Sequence, residues 1–450
     1  MKKMTNLRDF LKEIEGKGEL VRIGEPLSVR HEIPEALRRF DGGKAVLFES
    51  VKEYGGSVVG GVCGTRPRIL EGLGVESGEL YGHLLEAVRN PTPCDVGDGP
   101  VKEVVHDEPR LSDFPILTHF ETDPGPYITA GIVYARSPDG SVENVSFHRL
   151  LVKDDGRMGI RVVPRHLYRL NQMAREAGLD SLDVSISIGV HPAVYVAAAY
   201  PAPFGTSEFE MANTLLNGGL TLTECPHVDA LAPADAELVL EGKLRLNETD
   251  TEGPFVDLSG TTDVEREQPV IELVGAMHRE DYVYEGLLPA GAEHRLLMGL
   301  GREVRIWEYV RNVVPTVRGV NMTLGGMGWL HCVVSFEKFR EGDPKNVLMA
   351  IFAAHPSLKH AWVVDSDIDP YDMEQVEWAI ATRFRGDEDL LVIPKVRVSS
   401  LDPSSDQEKE LGCKVGFDAT KPLGREGFER PGIPVSDEVK RILDRYSSEL

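Results

Sequence analysis

The feature that most constrains this fold is a succession of strand-like segments that begins near residue 128. A turn composition, Ser137-Pro138-Asp139-Gly140, lies between the first two segments and is typical of a hairpin. Helical patterns interrupt the series only from Arg165 to Ala177 and from near Ser207. Because successive strands pair antiparallel, we predict an antiparallel barrel with inserted helices. The five segments are Ile128 to Ala135, Val142 to Val152, Met158 to Val163, Leu182 to Val190 and Val194 to Ala199.

Helices and strands alternate on either side of this region. Residues 1–110 begin with an amphipathic helix that ends at Gly16, followed by short apolar strands. Alternation returns after Arg295, and an amphipathic segment from Ser436 to Tyr446 closes the chain. We therefore predict an α/β (α+β) protein with an N-terminal α/β domain (1–110), a central barrel domain (111–295) and a C-terminal α/β domain (296–450). The closing helix follows a Pro/Gly-rich arm, which favours packing on a partner subunit.

Composition excludes several classes of function. The 450 residues include 73 acidic and 49 basic ones, a formal charge of -24. This excess opposes general attraction to nucleic acid. No apolar run approaches the roughly 20 residues that a membrane span needs, and we predict a cytoplasmic protein. The five cysteines include no CxxC pair and are interpreted as scattered core thiols.

The segment Glu143 to Arg149 carries an unusual mixture of polar groups in a strand pattern. Asn144, Ser146 and His148 alternate with apolar residues and would share one face of a strand, whereas Arg149 falls out of phase. Such a face can present neutral donors and acceptors to a ligand, with a cation at its end. A half-exposed strand with a solvated polar face is the alternative.

Three further clusters lie in the same region. Pro164-Arg165-His166 stands at a strand-to-helix junction, where backbone amides and the helix dipole favour an anion. The turn from Pro201 to Glu208 opens a helix and is also consistent with simple capping. Glu252 and Asp257 flank a Gly-Pro turn, where paired carboxylates can divide acid and base work or can simply be solvated.

Together these residues resemble the UbiD family of reversible decarboxylases, which use prenylated FMN (prFMN), a divalent metal and a monovalent cation. The resemblance extends over nearly the whole chain. It rests on Asn144-Val-Ser-Phe-His-Arg149, Arg165-His166, Pro201 to Glu208, Glu252-Gly-Pro-Phe, Leu288-Pro-Ala-Gly291 with Glu293-His294, Asp367-Ile-Asp369, Ala381-Thr-Arg383 and Gly416 to Thr420. The fold that it implies is an N-terminal α/β segment, a central split β-barrel of flavin reductase type and a C-terminal α/β oligomerisation domain with a protruding terminal helix.

The resemblance also implies ligands for metals and cofactor. Asn144, His166 and Glu208 resemble the divalent metal ligands, and this mostly hard donor set suits Mn2+ or Mg2+. The metal would bridge the protein and the cofactor phosphate, which Lys359 would also contact. The backbone near Ala198 and Tyr200, with Glu208, would hold K+. The other residues that resemble cofactor-lining positions are Thr129, Ser146, Phe147, Arg165 and Pro201.

Arg149, Glu252 and Asp257 resemble the family's catalytic network. Arg149 would orient the substrate carboxylate and keep Glu252 ionised, and Asp257 would protonate the carbon left after CO2 departs. Asp257 departs from the Glu of the better-known aromatic acid decarboxylases, which moves the carboxyl by roughly 1.5 Å. His148 also stands where smaller apolar residues are usual; a buried imidazole bound to a backbone carbonyl is the structural interpretation.

The favoured substrate is trans-anhydromevalonate 5-phosphate, which archaeal members of the family convert to isopentenyl phosphate. Arg165, Arg169 and His148 would suit its second anion. The alternative within the class is 4-hydroxy-3-polyprenylbenzoate or another aromatic acid. Outside the class, an FMN oxidoreductase or a noncatalytic assembly protein remains open. The expected partners are a flavin prenyltransferase that supplies the cofactor and further copies of this chain, in a homodimer or homohexamer.

Overall fold

The computed structural model describes residues 4–428 and 430–445. Its N-terminal part packs helices around a small four-stranded sheet, whose last strand, Val283–Glu285, arrives from the central region. The first helix is confirmed: Asn6 caps it by accepting a hydrogen bond from the Asp9 amide, and its apolar face is buried. The elements are α1 Leu7–Gly16, β1 Leu20–Ile23, α2 Glu32–Arg39, β2 Ala45–Phe48, β3 Ser57–Gly60, α3 Arg66–Leu73 and α4 Leu80–Arg89.

The central region is built on a nine-stranded sheet. Its elements are β4 Asp95–Val96, β5 Val104–His106, β6 Tyr127–Ile128, β7 Ile132–Arg136, β8 Glu143–Phe147, β9 Leu150–Asp154, β10 Arg157–Ile160, α5 His166–Glu176, β11 Ser181–Ile188, α6 Pro192–Ala199, α7 Glu208–Leu215, β12 Thr221–Glu224, β13 Leu231–Pro233, β14 Leu238–Glu252, β15 Phe255–Val256, β16 Thr262–Asp263, β17 Arg266–His278 and β18 Val283–Glu285.

The strands of this sheet pair antiparallel in the order β6-β9-β10-β17-β14-β11-β7-β8, and β5 also pairs with β17. Within residues 4–428 and 430–445 no ladder joins β8 to β6, so the pairing order is that of an open sheet. The antiparallel prediction is confirmed. Closure into a split barrel is not seen in the pairing and remains a prediction.

The segment Val194 to Ala199 is helical, so the strand predicted there is wrong. Pro192 lies in the first turn of α6, and the His191 ring accepts a hydrogen bond from the Ala193 amide at 3.2 Å. Seven of the eight helical residues are buried. A short helix that is apolar on every side has no periodicity by which it can be distinguished from a buried strand.

The C-terminal region carries a mixed sheet of order β19-β20-β21-β23-β22. Two of its elements, the 20-residue helix α8 and the internal strand β23, were not predicted from the sequence. The predicted terminal helix is present over Asp437–Leu443, while Tyr446 lies outside the described residues. The elements are α8 Ala292–Arg311, β19 Val317–Met322, β20 His331–Phe336, α9 Asp343–Ala354, β21 His360–Asp365, α10 Met373–Arg383, β22 Leu390–Arg397, β23 Leu411–Ala419 and α11 Asp437–Leu443.

One large core joins the three regions. It contains side chains of α1, α4, α6, α7 and α8 together with the first strands of the C-terminal sheet. A second core lies between the central sheet and the helices α2 and α5. Among the described residues, no helix is both long and apolar enough to cross a membrane.

Candidate active site

Arg149 lies at the break between β8 and β9, where the chain leaves one edge of the central sheet. The β7–β8 ladder ends at the pair Ile132 and Phe147, and β9 begins at Leu150. Arg149 is out of phase with the polar residues of β8 because it lies after the end of that strand, directly before β9. Only 8% of the Arg149 side chain is exposed.

The Arg149 guanidinium binds three carboxylates. It donates to both oxygens of Glu252, from Nε at 2.8 Å and from Nη2 at 2.9 Å. Nη1 donates to Asp257 Oδ2 at 3.0 Å, and Nη2 also donates to Asp263 Oδ2 at 3.2 Å. The ring of Phe255 lies beneath the cation, with 4.5 Å between its centroid and Cζ. The predicted association of Arg149 with Glu252 and Asp257 is thus present, and Asp263 is an additional member.

Local structure explains why these carboxylates converge. Glu252 is the last residue of β14, and Gly253, with φ of 95°, turns the chain into the short β15–β16 hairpin. Asp257 follows β15, and Asp263 ends β16. The hairpin therefore folds two carboxylates back over the end of the long strand, onto the guanidinium.

Electrostatics keep Arg149 and Asp263 charged. Burial opposes ionisation of Arg149, but Glu252, Asp257 and Asp263 outweigh it and hold its pKa above the ordinary value. Burial would likewise raise the pKa of Asp263, yet the guanidiniums of Arg266 and Arg149 leave that pKa below its usual range. Arg266 Nη1 donates to Asp263 Oδ2 at 2.6 Å. Tyr127 donates its hydroxyl to Glu252 Oε1 at 3.2 Å, and burial raises the pKa of that phenol.

A second constellation unites Asn144, His166 and Glu208. Asn144 Nδ2 donates to Glu208 Oε1 at 3.1 Å, and His166 Nδ1 lies 3.8 Å from the same oxygen. The Val145 amide donates to Glu208 Oε2 at 2.8 Å. Each side chain comes from the beginning of a helix or from β8, and Ser207 caps the helix of Glu208 as predicted. The structure therefore brings all three predicted metal-ligating residues together.

Burial governs the chemistry of this triad. Glu208 is 3% exposed, and desolvation raises its pKa despite the neighbouring His166 imidazole and the hydrogen bond from the Val145 amide. A carboxylate that is buried and only partly neutralised, beside an imidazole and an amide, fits a hard divalent cation. Among the described residues, no cluster of three or more His, Cys, Asp and Glu side chains is arranged as a metal site. The Asn144, His166 and Glu208 triad is not such a cluster, because one of its three side chains is an amide.

Ser146 and His148 continue the polar row that begins at Asn144 to the end of β8 and just beyond it. The Ser146 hydroxyl donates to Asn144 Oδ1 at 3.0 Å and lies 3.0 Å from His148 Nε2. His148 Nδ1 contacts the backbone oxygen of Arg161 at 2.8 Å, as its structural interpretation predicts. Burial lowers the pKa of His148 to about 4, so that at neutral pH the ring is an uncharged hydrogen-bonding group.

The remaining residues predicted to bind the cofactor lie on several different elements. Phe147 stacks on Tyr195 of α6 with 5.3 Å between ring centroids. Ala198 lies in the last turn of α6, and Tyr200 and Pro201 follow that helix. Thr129 lies between β6 and β7, and Arg165 precedes α5. Lys359 stands elsewhere: its ammonium group binds Asp402 and Ser404 at 3.0 and 2.6 Å.

Three residues near the network were not assigned a role from the sequence. Asp263 and Tyr127 reach Arg149 and Glu252 only because distant strands pair, and no local pattern indicates that pairing. His294, in the first turn of α8, lies within electrostatic reach of Asp257 and Arg149. Its Nδ1 accepts a hydrogen bond from the Ala290 amide at 3.2 Å, which leaves Nε2 as the nitrogen that carries the proton in the neutral ring.

Comparison with known proteins gives matches along most of the chain. Three family models match consecutive parts: the UbiD N-terminal domain (residues 11–88), the Rift-related domain (94–292) and the C-terminal domain (295–419), each described as a domain of 3-octaprenyl-4-hydroxybenzoate carboxy-lyase. An anhydromevalonate phosphate decarboxylase from Methanothermobacter thermautotrophicus is 45% identical over 425 residues, which cover 94% of this chain and 99% of that protein.

Solved structures of UbiD-class enzymes also match this chain. The UbiD-class enzyme HmfF from Pelotomaculum thermopropionicum, in complex with FMN, superposes with a TM-score of 0.94 at 40% identity, covering 98% of this chain and 100% of that one. An evolved dimeric form of HmfF in complex with prFMN gives a TM-score of 0.89 at 38% identity, covering 96% and 97% of the two chains. The mixed α/β fold of this chain is therefore that of a flavin-binding class of enzymes.

Proposed function

The chain belongs to the UbiD family of decarboxylases, and on that premise we propose that it is a prFMN-dependent decarboxylase of trans-anhydromevalonate 5-phosphate, giving isopentenyl phosphate and CO2. The family prediction is confirmed, and the chain is a carboxy-lyase of that family. The substrate is proposed because the 45% identical relative, nearly full-length in the comparison, is an anhydromevalonate phosphate decarboxylase.

The observation that carries the mechanism is the binding of Arg149 to Glu252, Asp257 and Asp263. Three carboxylates and the two guanidiniums of Arg149 and Arg266 leave one excess negative charge when all are ionised. An entering substrate carboxylate would add another, which favours protonation of one acid. Asp257, with 25% of its side chain exposed, is the most accessible of the three.

Each residue then has a role. Arg149 orients the substrate carboxylate by a charge-assisted hydrogen bond. Glu252, held by two hydrogen bonds from Arg149 and one from Tyr127, keeps the guanidinium in place. Asp257 delivers its carboxyl proton to the substrate carbon that loses CO2. When bound, prFMN supplies the electron sink for the electron pair that C–C cleavage releases.

The residues present fit a metal that carries a cofactor phosphate. Asn144, His166 and Glu208 are the proposed ligands of Mn2+ or Mg2+, because the Asn144 and His166 side chains converge on the buried Glu208 carboxylate. Ser146, Phe147, Arg165 and Pro201 are proposed to line the flavin, with Thr129 at the strand end beside them. K+ is proposed near Ala198, Tyr200 and Glu208. For Lys359, which is bound to Asp402, the proposed phosphate contact rests on the family resemblance alone.

Several broader expectations belong to the same proposal. We propose that the open sheet corresponds to a split barrel of flavin reductase type, and that the domains divide at residues 110 and 295. A dimer or hexamer would form through the terminal helix; an evolved HmfF is dimeric. A flavin prenyltransferase would supply the cofactor in the cytoplasm. A plain FMN oxidoreductase would have no use for the Arg149 network, which disfavours that alternative.

The test is to coexpress the chain with a flavin prenyltransferase and Mn2+, then record the mass of the bound flavin and CO2 release from a panel of unsaturated acids. We expect prFMN and release of CO2 from trans-anhydromevalonate 5-phosphate. Preference for an aromatic acid would refute the substrate assignment. Ordinary FMN with no CO2 release from any acid would refute the decarboxylase.

A further inference from the structure

Two histidine rings meet where the short strand β5 pairs with β17 of the central sheet. His106 is the last residue of β5, and His278 is the last residue of β17. The antiparallel ladder between these strands pairs His106 with Ala276 and Val104 with His278. Because residues two apart on a strand share a face, His106 and His278 lie on the same face of the sheet, diagonally across the ladder. We call these two residues the histidine pair.

The imidazoles of the histidine pair approach each other through the same ring nitrogen. Nε2 of His106 lies 2.9 Å from Nε2 of His278, and the ring centroids are 5.0 Å apart. His278 Nδ1 lies 2.6 Å from the backbone oxygen of Arg279, and in that contact the ring nitrogen is the donor. The neutral His278 ring therefore carries its proton on Nδ1 and has a lone pair on Nε2. A histidine that is held in this tautomer by a carbonyl is prepared to bind a metal.

The distance between the two Nε2 atoms matches that between two ligands of one ion. An imidazole nitrogen binds Zn2+ at about 2.0–2.1 Å, so two of them at an angle of roughly 90–110° lie about 2.9–3.4 Å apart. The 2.9 Å of the histidine pair falls at the lower end of this range. Without metal, His106 can donate its Nε2 proton to His278. When a metal binds, the neutral His106 ring carries that proton on Nδ1 instead, and both Nε2 lone pairs face the ion.

The surroundings fix one ring of the histidine pair and leave the other open to water. Tyr282 packs against the His278 ring edge-on with 4.8 Å between centroids, and Phe114 does so at 6.4 Å. His278 is half-buried, whereas His106 is exposed. An ion bound to both rings can therefore complete its coordination with water, and it can enter directly from solvent.

Charge at this edge of the sheet also favours a cation. Asp107 follows β5 with 91% of its side chain exposed. Arg279, the basic residue next to His278, is paired with Asp235 at 2.9 Å. The formal charge of the chain, -24, adds a general attraction for divalent cations.

We propose that His106 and His278 form a binding site for a divalent late transition metal such as Zn2+, with two imidazole ligands and water in the remaining positions. Imidazole suits Zn2+, Ni2+ and Cu2+, whereas oxygen ligands suit Mg2+ and Mn2+, which distinguishes this site from the triad of Asn144, His166 and Glu208. A site with two protein ligands holds an exchangeable ion. Because the ligands belong to β5 and β17, the bound ion clamps the short strand onto the sheet.

Calorimetric titration of the full chain with Zn2+ tests the site, in a large excess of Mn2+ that competes for the oxygen-rich triad. We expect wild type to bind Zn2+ at a site that His106→Gln and His278→Gln each weaken at least about tenfold. His331→Gln is the matched control, because it removes a ring from a second histidine contact, with 3.0 Å between His331 Nε2 and His360 Nδ1. We expect this control to bind Zn2+ as wild type does. No binding to wild type, or wild-type affinity in His106→Gln, would overturn the proposal.

Hydrogen exchange measures the clamp on β5. At a Zn2+ concentration of about ten times its Kd, we expect amide exchange in the peptide that contains residues 104–106 to slow by up to about tenfold in wild type. Exchange in His106→Gln should not respond to Zn2+, and its melting temperature without Zn2+ shows that the variant is folded. Equal slowing in wild type and His106→Gln would mean that the ion binds elsewhere and would contradict the site. Zn2+ binding without slower exchange at residues 104–106 would refute the clamp.

Discussion

At the scale of single residues, the decisive feature is the unequal surroundings of the three acids around Arg149. Glu252 is fully buried and doubly bound, and Asp263 is tied to Arg266 at 2.6 Å as well as to Arg149. Among the described residues, the donors to the Asp257 carboxylate are only Nη1 of Arg149 and the neighbouring Leu258 amide. The least restrained carboxyl is therefore the one suited to exchange a proton with a ligand.

Replacing Asp257 by Asn tests this division of roles. We expect turnover to fall by about 10²- to 10⁴-fold at unchanged flavin content, because the amide cannot deliver the proton. Asp263→Asn is the matched change, and we expect it to lower turnover by less than about tenfold, since Asp263 serves chiefly to hold Arg149 and Arg266. Both rates are measured as CO2 release at equal flavin occupancy. A larger loss in Asp263→Asn would mean that the proton donor is misassigned.

At the scale of elements, α8 forms a wall of the site. His294 in its first turn lies within electrostatic reach of Asp257 and Arg149, and Gly301 packs against the turn that follows α6. A Cβ at Gly301 would come within 2.5 Å of Pro201 Cδ and 3.4 Å of the Tyr200 Cα. The absence of a side chain at this position lets the helix and the proposed flavin-lining turn approach each other closely.

The change Gly301→Ala should therefore push the turn at Tyr200 and Pro201 away from α8. We expect a lower melting temperature, because overpacking of about 1–3 kcal/mol exceeds the gain of up to about 1 kcal/mol in helix propensity, together with reduced flavin retention. Gly82→Ala in α4 is the control, since nothing lies within 4 Å of a Cβ there. The measurements are thermal unfolding and flavin absorbance after gel filtration. A stabilised Gly301→Ala protein with full flavin would contradict this packing.

The helices and strands also show which parts of the fold can be predicted from the sequence. The helix that begins at Glu208 and the polar face of β8 were predicted because a cap and strand alternation are local signals. The α6 helix was misassigned because a fully buried apolar run has no distinguishing period. Asp263 was not recognised because its place beside Arg149 depends on the pairing of β15 with β16 and on the end of β14. Contacts of that kind have no local pattern.

At the scale of the whole molecule, some of the acidic side chains, among them Glu285 and Glu293, are buried in the interior. Glu293 is buried where α8 meets the N-terminal sheet, and it accepts hydrogen bonds from the amides of Gly61 and Cys63 at 3.0 and 2.5 Å. Burial raises the pKa of Glu293 to about 7. Burial and the Glu293 charge also raise the pKa of Glu285. Folding therefore takes up protons at these sites.

The sign of the resulting pH dependence is the reverse of that of a salt-bridged acid. The unfolded chain loses the Glu293 proton near pH 4.5 and the folded chain near pH 7, so stability falls as pH rises through this window and levels off above it. For Glu293→Gln we expect this fall to shrink by roughly 2.5 kcal/mol between pH 5 and pH 8. The free energy of unfolding from urea titrations measures it. An unchanged pH slope in the variant would refute ionisation of Glu293.

The terminal helix offers a prediction about assembly. None of the α11 residues is buried, and Ile442 and Leu443 are 41% and 57% exposed. Apolar side chains on such a helix favour a second copy of the chain as the surface that covers them. We expect the double change Ile442→Asp and Leu443→Asp to lower the mass measured by light scattering, while Lys440→Gln on the same helix does not. An unchanged mass in the double variant would exclude α11 from the interface.

Comparing wild type with Glu252→Gln at equal prFMN and Mn2+ content, with trans-anhydromevalonate 5-phosphate as substrate, tests whether the Arg149 network carries out the decarboxylation. Glu252 is the acid that holds Arg149 through two hydrogen bonds, at 2.8 and 2.9 Å. We predict that wild type releases one CO2 for each isopentenyl phosphate formed, and that Glu252→Gln keeps its flavin but turns over at least about 100-fold more slowly. Undiminished turnover in the variant, or no CO2 release by wild type, would contradict the account.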